Sequence, residues 1–199
     1  MHANEEPTVD VVPGDYSYVF NPYREPVATV KPGERVTIHT DDAFESRITK
    51  KEDLPSRALA TAKFLNPQTG PIYVQGAEPG DSLAVRIESI EPTRDFAVSV
   101  LIPYFGGLTS TTFTRTLQEP LPERVWIWDL VDGGKNLVSE ELRAKLPWEP
   151  FLGTLAVARA RLGRSSFLVI LLSKASSVCM VTRCPGLTVA MGSRYGLKT

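Results

Sequence analysis

The segment His39-Thr40-Asp41-Asp42-Ala43-Phe44-Glu45 brings an imidazole together with closely spaced carboxylates. It continues from the alternating run Val36-Thr37-Ile38-His39, which predicts a strand, so the acids stand beyond the strand's end. Loops in such positions face solvent and can converge on a ligand, and carboxylates beside an imidazole can hold a divalent metal or move protons. Strand alternation puts His39 and Asp41 on one face. The competing reading makes His39 a surface strand residue and the acids turn formers, and the residues alone leave both open.

A second polar segment is the loop Asn66-Pro67-Gln68-Thr69-Gly70-Pro71, followed by Ile72-Tyr73-Val74 and then Gln75-Gly76-Ala77-Glu78-Pro79-Gly80-Asp81. Gln75, Glu78 and Asp81 would lie near that last turn, where they could bind an amide or orient water. Turn chemistry explains Gly76, Pro79, Gly80 and Asp81 equally well. No G-x-S-x-G elbow, H-E-x-x-H pair, Walker loop or G-x-G-x-x-G fingerprint occurs, which removes the α/β-hydrolase, zincin and nucleotide-binding readings. Trp126, Trp128 and Trp148 read as a carbohydrate platform or, more simply, as core aromatics of strands. Cys179 and Cys184, spaced C-x4-C, make neither a disulfide framework nor the tight pair of a structural zinc site.

The elements that must carry these residues are mostly strands. Sixteen prolines and fourteen glycines cut the chain into short pieces, several of them alternating, such as Leu83 to Glu88 and Val98 to Ile102. Lys31-Pro32-Gly33-Glu34, Glu78-Pro79-Gly80-Asp81 and Cys184-Pro185-Gly186-Leu187 each pair a proline, which presets the first turn angle, with a glycine that accepts the next. Each predicts a tight reversal launching a strand. Helix is expected only over part of Leu54 to Leu65, and as a short helix or turn over Ser139 to Leu146. The fold class is therefore all-β, a sandwich or barrel with one or two short helices.

With 199 residues, 42% apolar and 23% charged, the chain suits one globular domain or part of a larger one. A net charge of -1 without a basic stripe argues against nucleic acid as a partner. No apolar run approaches the roughly 18 residues of a membrane span, and the N-terminus has no signal-peptide core, so no membrane partner and a cytoplasmic location are expected. Acidic residues stop at Glu149, although seven lysines and arginines follow, which divides the chain into residues 1–158 and a divergent basic tail, 159–199. That tail reads as a buried strand with basic flanks, as an interaction arm, or as a segment translated out of frame.

Five strings occur in an informative order: Asp42-Ala43-Phe44; Asn66 to Val74; Gly76 to Asp81; Pro120-Leu121-Pro122-Glu123-Arg124-Val125-Trp126; and Pro147-Trp148-Glu149-Pro150-Phe151-Leu152-Gly153-Thr154. Together they resemble the acetamidase/formamidase family over about residues 8 to 158. The resemblance implies a β-rich fold, usually homo-oligomeric, that hydrolyses formamide, acetamide or related short linear amides to a carboxylate and ammonia with the help of a divalent metal such as zinc or calcium. It also implies that Asp42 is an acidic site residue, acting as metal ligand or base, and the residue reading above adds His39 as a further ligand. Glu78 would transfer a proton. Asn66, Thr69 and Gln75 would line the pocket for a small amide substrate.

Two departures stand beside these matches. Gln75 occupies a position where the family often has Glu, which removes a carboxylate but keeps a hydrogen-bonding side chain. The family's His-Gly-Gly-Asn-Met-Asp and Gly-Asp-x-His segments are absent, and His2 and His39 are the only histidines. The expectation is thus an amidohydrolase whose C-terminal part is divergent, truncated or frameshifted, with its own turnover in doubt. The alternative is a non-catalytic β-sandwich module that binds a ligand or a partner.

Overall fold

A computed structural model describes residues 9–20, 23–62, 64–78, 81–105, 119–157, 169–173 and 184–192. In chain order the elements are β1 (Val9–Val11), β2 (Ala28–Val30), β3 (Arg35–Thr40), α1 (Pro55–Thr61), β4 (Thr69–Val74), β5 (Ala84–Ile90), β6 (Phe96–Leu101), β7 (Arg124–Val131), β8 (Asn136–Ser139), β9 (Ala144–Pro147), β10 (Thr154–Val157), β11 (Val169–Ser173) and β12 (Cys184–Gly192). They form three four-stranded sheets ordered β1-β3-β12-β5, β10-β11-β4-β2 and β6-β7-β8-β9. The all-β expectation is borne out.

β3 shows how sequence pattern becomes a sheet. Val36, Ile38 and Thr40 point inward and are buried, while Arg35, Thr37 and His39 alternate with them at half-buried positions. The strand starts from the Pro32-Gly33 turn, where Glu34 N donates to Lys31 O at 3.1 Å and Gly33 takes φ 87°, a conformation that costs a glycine little. β1 pairs with β3 in parallel and β2 with β4 in parallel, whereas every other pairing is antiparallel. Val11, Val30, Val36, Ile38, Ile72 and Val74, drawn from β1 to β4, form the core shared by the first two sheets. Each such side chain contributes about 1.5–3 kcal/mol relative to exposure.

The third sheet carries two separate apolar clusters. Val98 and Val125 pack on Ala43, Phe44, Ile48 and Ala58, which come from the loop after β3 and from α1. Ala97, Trp128 and Leu137 form a separate cluster, so Trp128 is a core residue. α1 begins with Pro55 but has Leu54 at its N-cap, a residue with no side-chain acceptor. Glu123, from outside the helix, supplies the missing oxygens: Ser56 N and Ser56 Oγ donate to its carboxylate at 2.9 and 2.8 Å.

Two further sequence expectations are settled by the strand pairing. Of the short helix or turn expected over Ser139 to Leu146, the structure shows the turn, residues 140–143, joining β8 to β9 with Ser139 facing Ala144 in register. Cys184-Pro185-Gly186-Leu187 forms the first four residues of β12, where the register against β3 shifts between Cys184 and Leu187. Pro and Gly are accommodated there as a bulge. β11 pairs with β10 and β4, and β12 pairs with β3 and β5, so strands from both sides of residue 158 share two sheets. Among the described residues no helix is long and apolar enough to cross a membrane.

Candidate functional site

The loop that leaves β3 is organised by its own acids. Asp42 Oδ1 accepts hydrogen bonds from Phe44 N at 2.7 Å and Ser46 N at 3.2 Å, and Asp42 O accepts from Glu45 N at 3.0 Å. Asp41 Oδ1 accepts from Asp42 N at 2.9 Å and from the Ser46 hydroxyl, while Asp41 Oδ2 accepts from Tyr16 OH at 2.9 Å. These bonds hold Glu45 and Ser46 in successive left-handed conformations, φ 54° and 58°. For residues with a Cβ this costs roughly 1 kcal/mol or more each, offset by the carboxylate-centred bonds.

Asp42 is the most buried carboxylate of the group, at 2% relative exposure. The Arg94 guanidinium pairs with its Oδ2 and stacks over Phe96 at 4.7 Å from the ring centre. Burial pushes the Asp42 carboxyl above its ordinary range, outweighing the opposing pull of Arg94 and the backbone N–H groups, and neighbouring Asp41 adds to the rise. Glu45, one turn further, accepts from Tyr18 OH and binds Arg47 at 2.6 Å. Burial first and Glu45 second push the Tyr18 phenol up to about 12.

The remaining residues singled out from sequence divide into two places. Thr69, at the start of β4, is buried, and its Oγ1 donates to His39 O at 2.7 Å, while Asn66 N donates to Ala43 O at 3.2 Å with Asn66 itself at φ 63°. Both therefore abut the Asp41–Ser46 loop. Gln75 and Glu78 are exposed at the other end of β4, roughly 17 Å away along the strand, where Glu78 N donates to Asp81 Oδ2 at 2.9 Å. The structure does not bring them to Asp42.

His39 and Asp41 do not share a face. β3 ends at Thr40, the chain turns inward, and Asp41 becomes buried, whereas His39 Nε2 lies 2.8 Å from Asp10 Oδ1 at the surface. Among the described residues no three His, Cys, Asp or Glu side chains converge to hold a metal. Both Asp42 oxygens are already engaged, one of them by a guanidinium that would repel a cation. These residues do not fit the zinc or calcium site expected from His39 and Asp42, and no chemistry is assigned to one.

Sequence reasoning missed Arg94, Tyr16, Tyr18, Ser46 and Gln68. Arg94 lies in Pro92-Thr93-Arg94-Asp95, a turn-like string with no periodic signal, and Tyr16 and Tyr18 alternate in a segment whose Ser17 bridges Gln68, the residue before β4.

The profile of the acetamidase/formamidase family matches residues 17–161, which contain Asp41, Asp42, Glu45 and Arg94. The chain belongs to the acetamidase/formamidase family. Among solved structures, an acetamidase from Yersinia enterocolitica is 30% identical with a TM-score of 0.73, and the match covers 92% of this chain and 66% of that one. An acetamidase from Bacillus halodurans is 18% identical with a TM-score of 0.68, covering 93% of this chain and 70% of that one. A gamma lactamase from Delftia acidovorans is 15% identical with a TM-score of 0.64, covering 92% of this chain and 68% of that one. The last two likenesses are likenesses of fold. The chain spans about two thirds of the length of these relatives. A search of curated proteins found no match.

Proposed function

We propose that this acetamidase/formamidase family member contributes to hydrolysis of short linear amides, such as formamide and acetamide, to a carboxylate and ammonia. The observation that carries the reading is the family match over residues 17–161, a range that includes the adjacent buried carboxylates Asp41 and Asp42. Amide hydrolysis needs water brought to the carbonyl carbon, a polarised carbonyl oxygen, and a proton for the departing nitrogen. Asp42, the most buried carboxylate of this loop, is the residue we assign to this chemistry. Arg94 fixes Asp42 in place, and Asp41 positions the loop through Tyr16 and Ser46.

The test is ammonia release from formamide and acetamide by the 199-residue protein, with Asp42→Asn as the comparison. Turnover of the wild type near an ordinary enzyme rate, about 1 per second or more, that collapses in Asp42→Asn supports the reading. Turnover unchanged in Asp42→Asn removes Asp42 from the chemistry.

One observation favours the second reading, a module that binds an amide without hydrolysing it. The oxygens of Asp41 and Asp42 are spent on the loop and on Arg94, and the chain's only histidines are His2 and His39. Amide binding with no ammonia released identifies that case.

A further inference from the structure

Asp41 and Asp42 are buried, so a solute reaches them only if something above them moves. Two of the groups around them are fixed in sheets: Arg94 stands just before β6, and Thr69 begins β4. Residues 12–20, between β1 and β2, differ. They join no strand ladder, and Ser17 meets Gln68 as an isolated bridge whose two backbone bonds are 3.0 and 2.7 Å long. None of them belongs to an apolar cluster, and Val12, Val19 and Phe20 are exposed.

Polar bonds hold this segment down. Tyr16 OH donates to Asp41 Oδ2 at 2.9 Å, Tyr18 OH donates to Glu45, and the Tyr18 ring leans on Phe64, itself exposed. The segment also carries its own braces: Ser17 Oγ donates to Val19 O at 2.7 Å, and the Arg24 guanidinium donates to the carbonyls of Asp15 and Tyr16. At its start Gly14 is exposed, and a side chain there would meet nothing within 4 Å, so the chain can rotate at that point without obstruction. Segments with few apolar contacts open at lower free energy than the sheets they lie on.

From this arrangement we propose that residues 14–20 are a strap that lifts from the Asp41–Ser46 loop as a unit, pivoting at Gly14, and that its lifting opens the two carboxylates to water and small solutes. The inference takes from the reading above only the place of the site. Its test reads access and not turnover, so a chain with a moving strap and no ammonia release would remove that reading and leave this one standing.

The experiment is amide hydrogen exchange of the full chain, followed by NMR at several low urea concentrations. The reporters are Ser17 N and Gln68 N, which bond across the strap, and Phe44 N and Ser46 N, which donate to Asp42 Oδ1 beneath it. The reporters should exchange at least about a hundredfold faster than the amides of β3 and depend less steeply on urea, since lifting a strap exposes less surface than unfolding. A second variant locks the strap. Ser17→Cys with Gln68→Cys places two thiols on a hydrogen-bonded antiparallel pair, where Cα atoms lie roughly 5.5 Å apart, within disulfide range. Once the link between positions 17 and 68 is mapped by peptide mass, oxidation should slow Phe44 and Ser46 by about tenfold or more, and reduction should restore them.

Reporters that exchange at the rate of β3, with the same urea dependence, would mean that the segment opens only when the whole protein does, and the strap would be overturned. An oxidised link that leaves Phe44 and Ser46 at their reduced-form rates would overturn it as well, because the loop would then open without the strap.

Discussion

Asp42 and Arg94, separated by 52 positions in the chain, form a buried ion pair that ties the loop after β3 to the start of β6. It joins two parts of the core, since Phe44 on the loop and Val98 on β6 belong to one apolar cluster. Removing one partner of such a pair strands the other charge in a site that water does not reach. Arg94→Met is expected to lower stability by about 3–5 kcal/mol at pH 7, measured by urea unfolding.

The same pair has a definite pH signature. The folded Asp42 carboxyl lies above its unfolded value, so the stability it contributes is fully present below about pH 4 and is lost as pH rises through the folded value. Without Arg94 the folded value rises further, and the loss extends to higher pH. The gap between wild type and Arg94→Met should therefore shrink steadily as pH falls from 7 to 4. A gap that is constant with pH would mean that Asp42 does not titrate in this range in either protein.

Trp128 Nε1 donates to Ser99 Oγ at 2.8 Å between β7 and β6, with both residues buried. Ser99→Ala leaves the indole N–H without a partner and should cost about 1–3 kcal/mol. In Trp128→Phe that donor is gone, so adding Ser99→Ala should cost much less than it does in the wild type. A double-mutant cycle with a coupling energy near zero would count against the bond.

How far the sequence foretold this arrangement depends on the kind of signal. β3, β5 and β6 were legible because alternation is local, and the Pro-Gly turn before β3 was legible because proline and glycine each restrict one angle. α1 was expected between Leu54 and Leu65 and occupies Pro55–Thr61. The interior of the site was less legible. Asp42 stood out by residue type, but Arg94, its partner, sits in a turn far along the chain and is paired only by the fold. The expected His39 and Asp41 face failed because alternation was extended one residue past the strand's end, where the chain already turns. The role of Cys184-Pro185-Gly186 within a strand was hidden because the same dipeptide serves a turn or a bulge, and only its partner strands decide which.

Asp53 holds the turn before α1, accepting from Thr49 N at 2.9 Å, Thr49 Oγ1 at 2.8 Å and Lys50 N at 3.2 Å. These bonds favour the ionised form, led by the Thr49 backbone N–H, and pull the Asp53 carboxyl below its ordinary range. The stabilisation is present above the unfolded value near pH 4 and is lost as pH falls through the folded value. Asp53→Ala should cost about 1 kcal/mol at pH 7, the usual worth of a turn or cap acceptor. The cost should fade in acid. Melting temperatures of the two proteins at pH 7 and pH 3 check it.

Tyr18 donates its hydroxyl to Glu45, which also binds Arg47 at 2.6 Å, and so holds the left-handed Glu45-Ser46 pair against the Asp41 and Asp42 carboxylates. Burial and the Glu45 charge together push the phenol up to about 12. Because the folded value exceeds the unfolded one, this contribution is present below pH 10 and is lost as pH rises toward 12. Glu45→Gln removes the charge but retains an acceptor, so the phenol should titrate closer to 10, its value without these neighbours. The change can be followed as phenolate absorbance during alkaline titration, with Tyr18→Phe identifying which of the tyrosines is responsible. A Glu45→Gln titration that overlays the wild type would show that Glu45 does not govern this phenol, and that Tyr18 does not hold the loop through its charge.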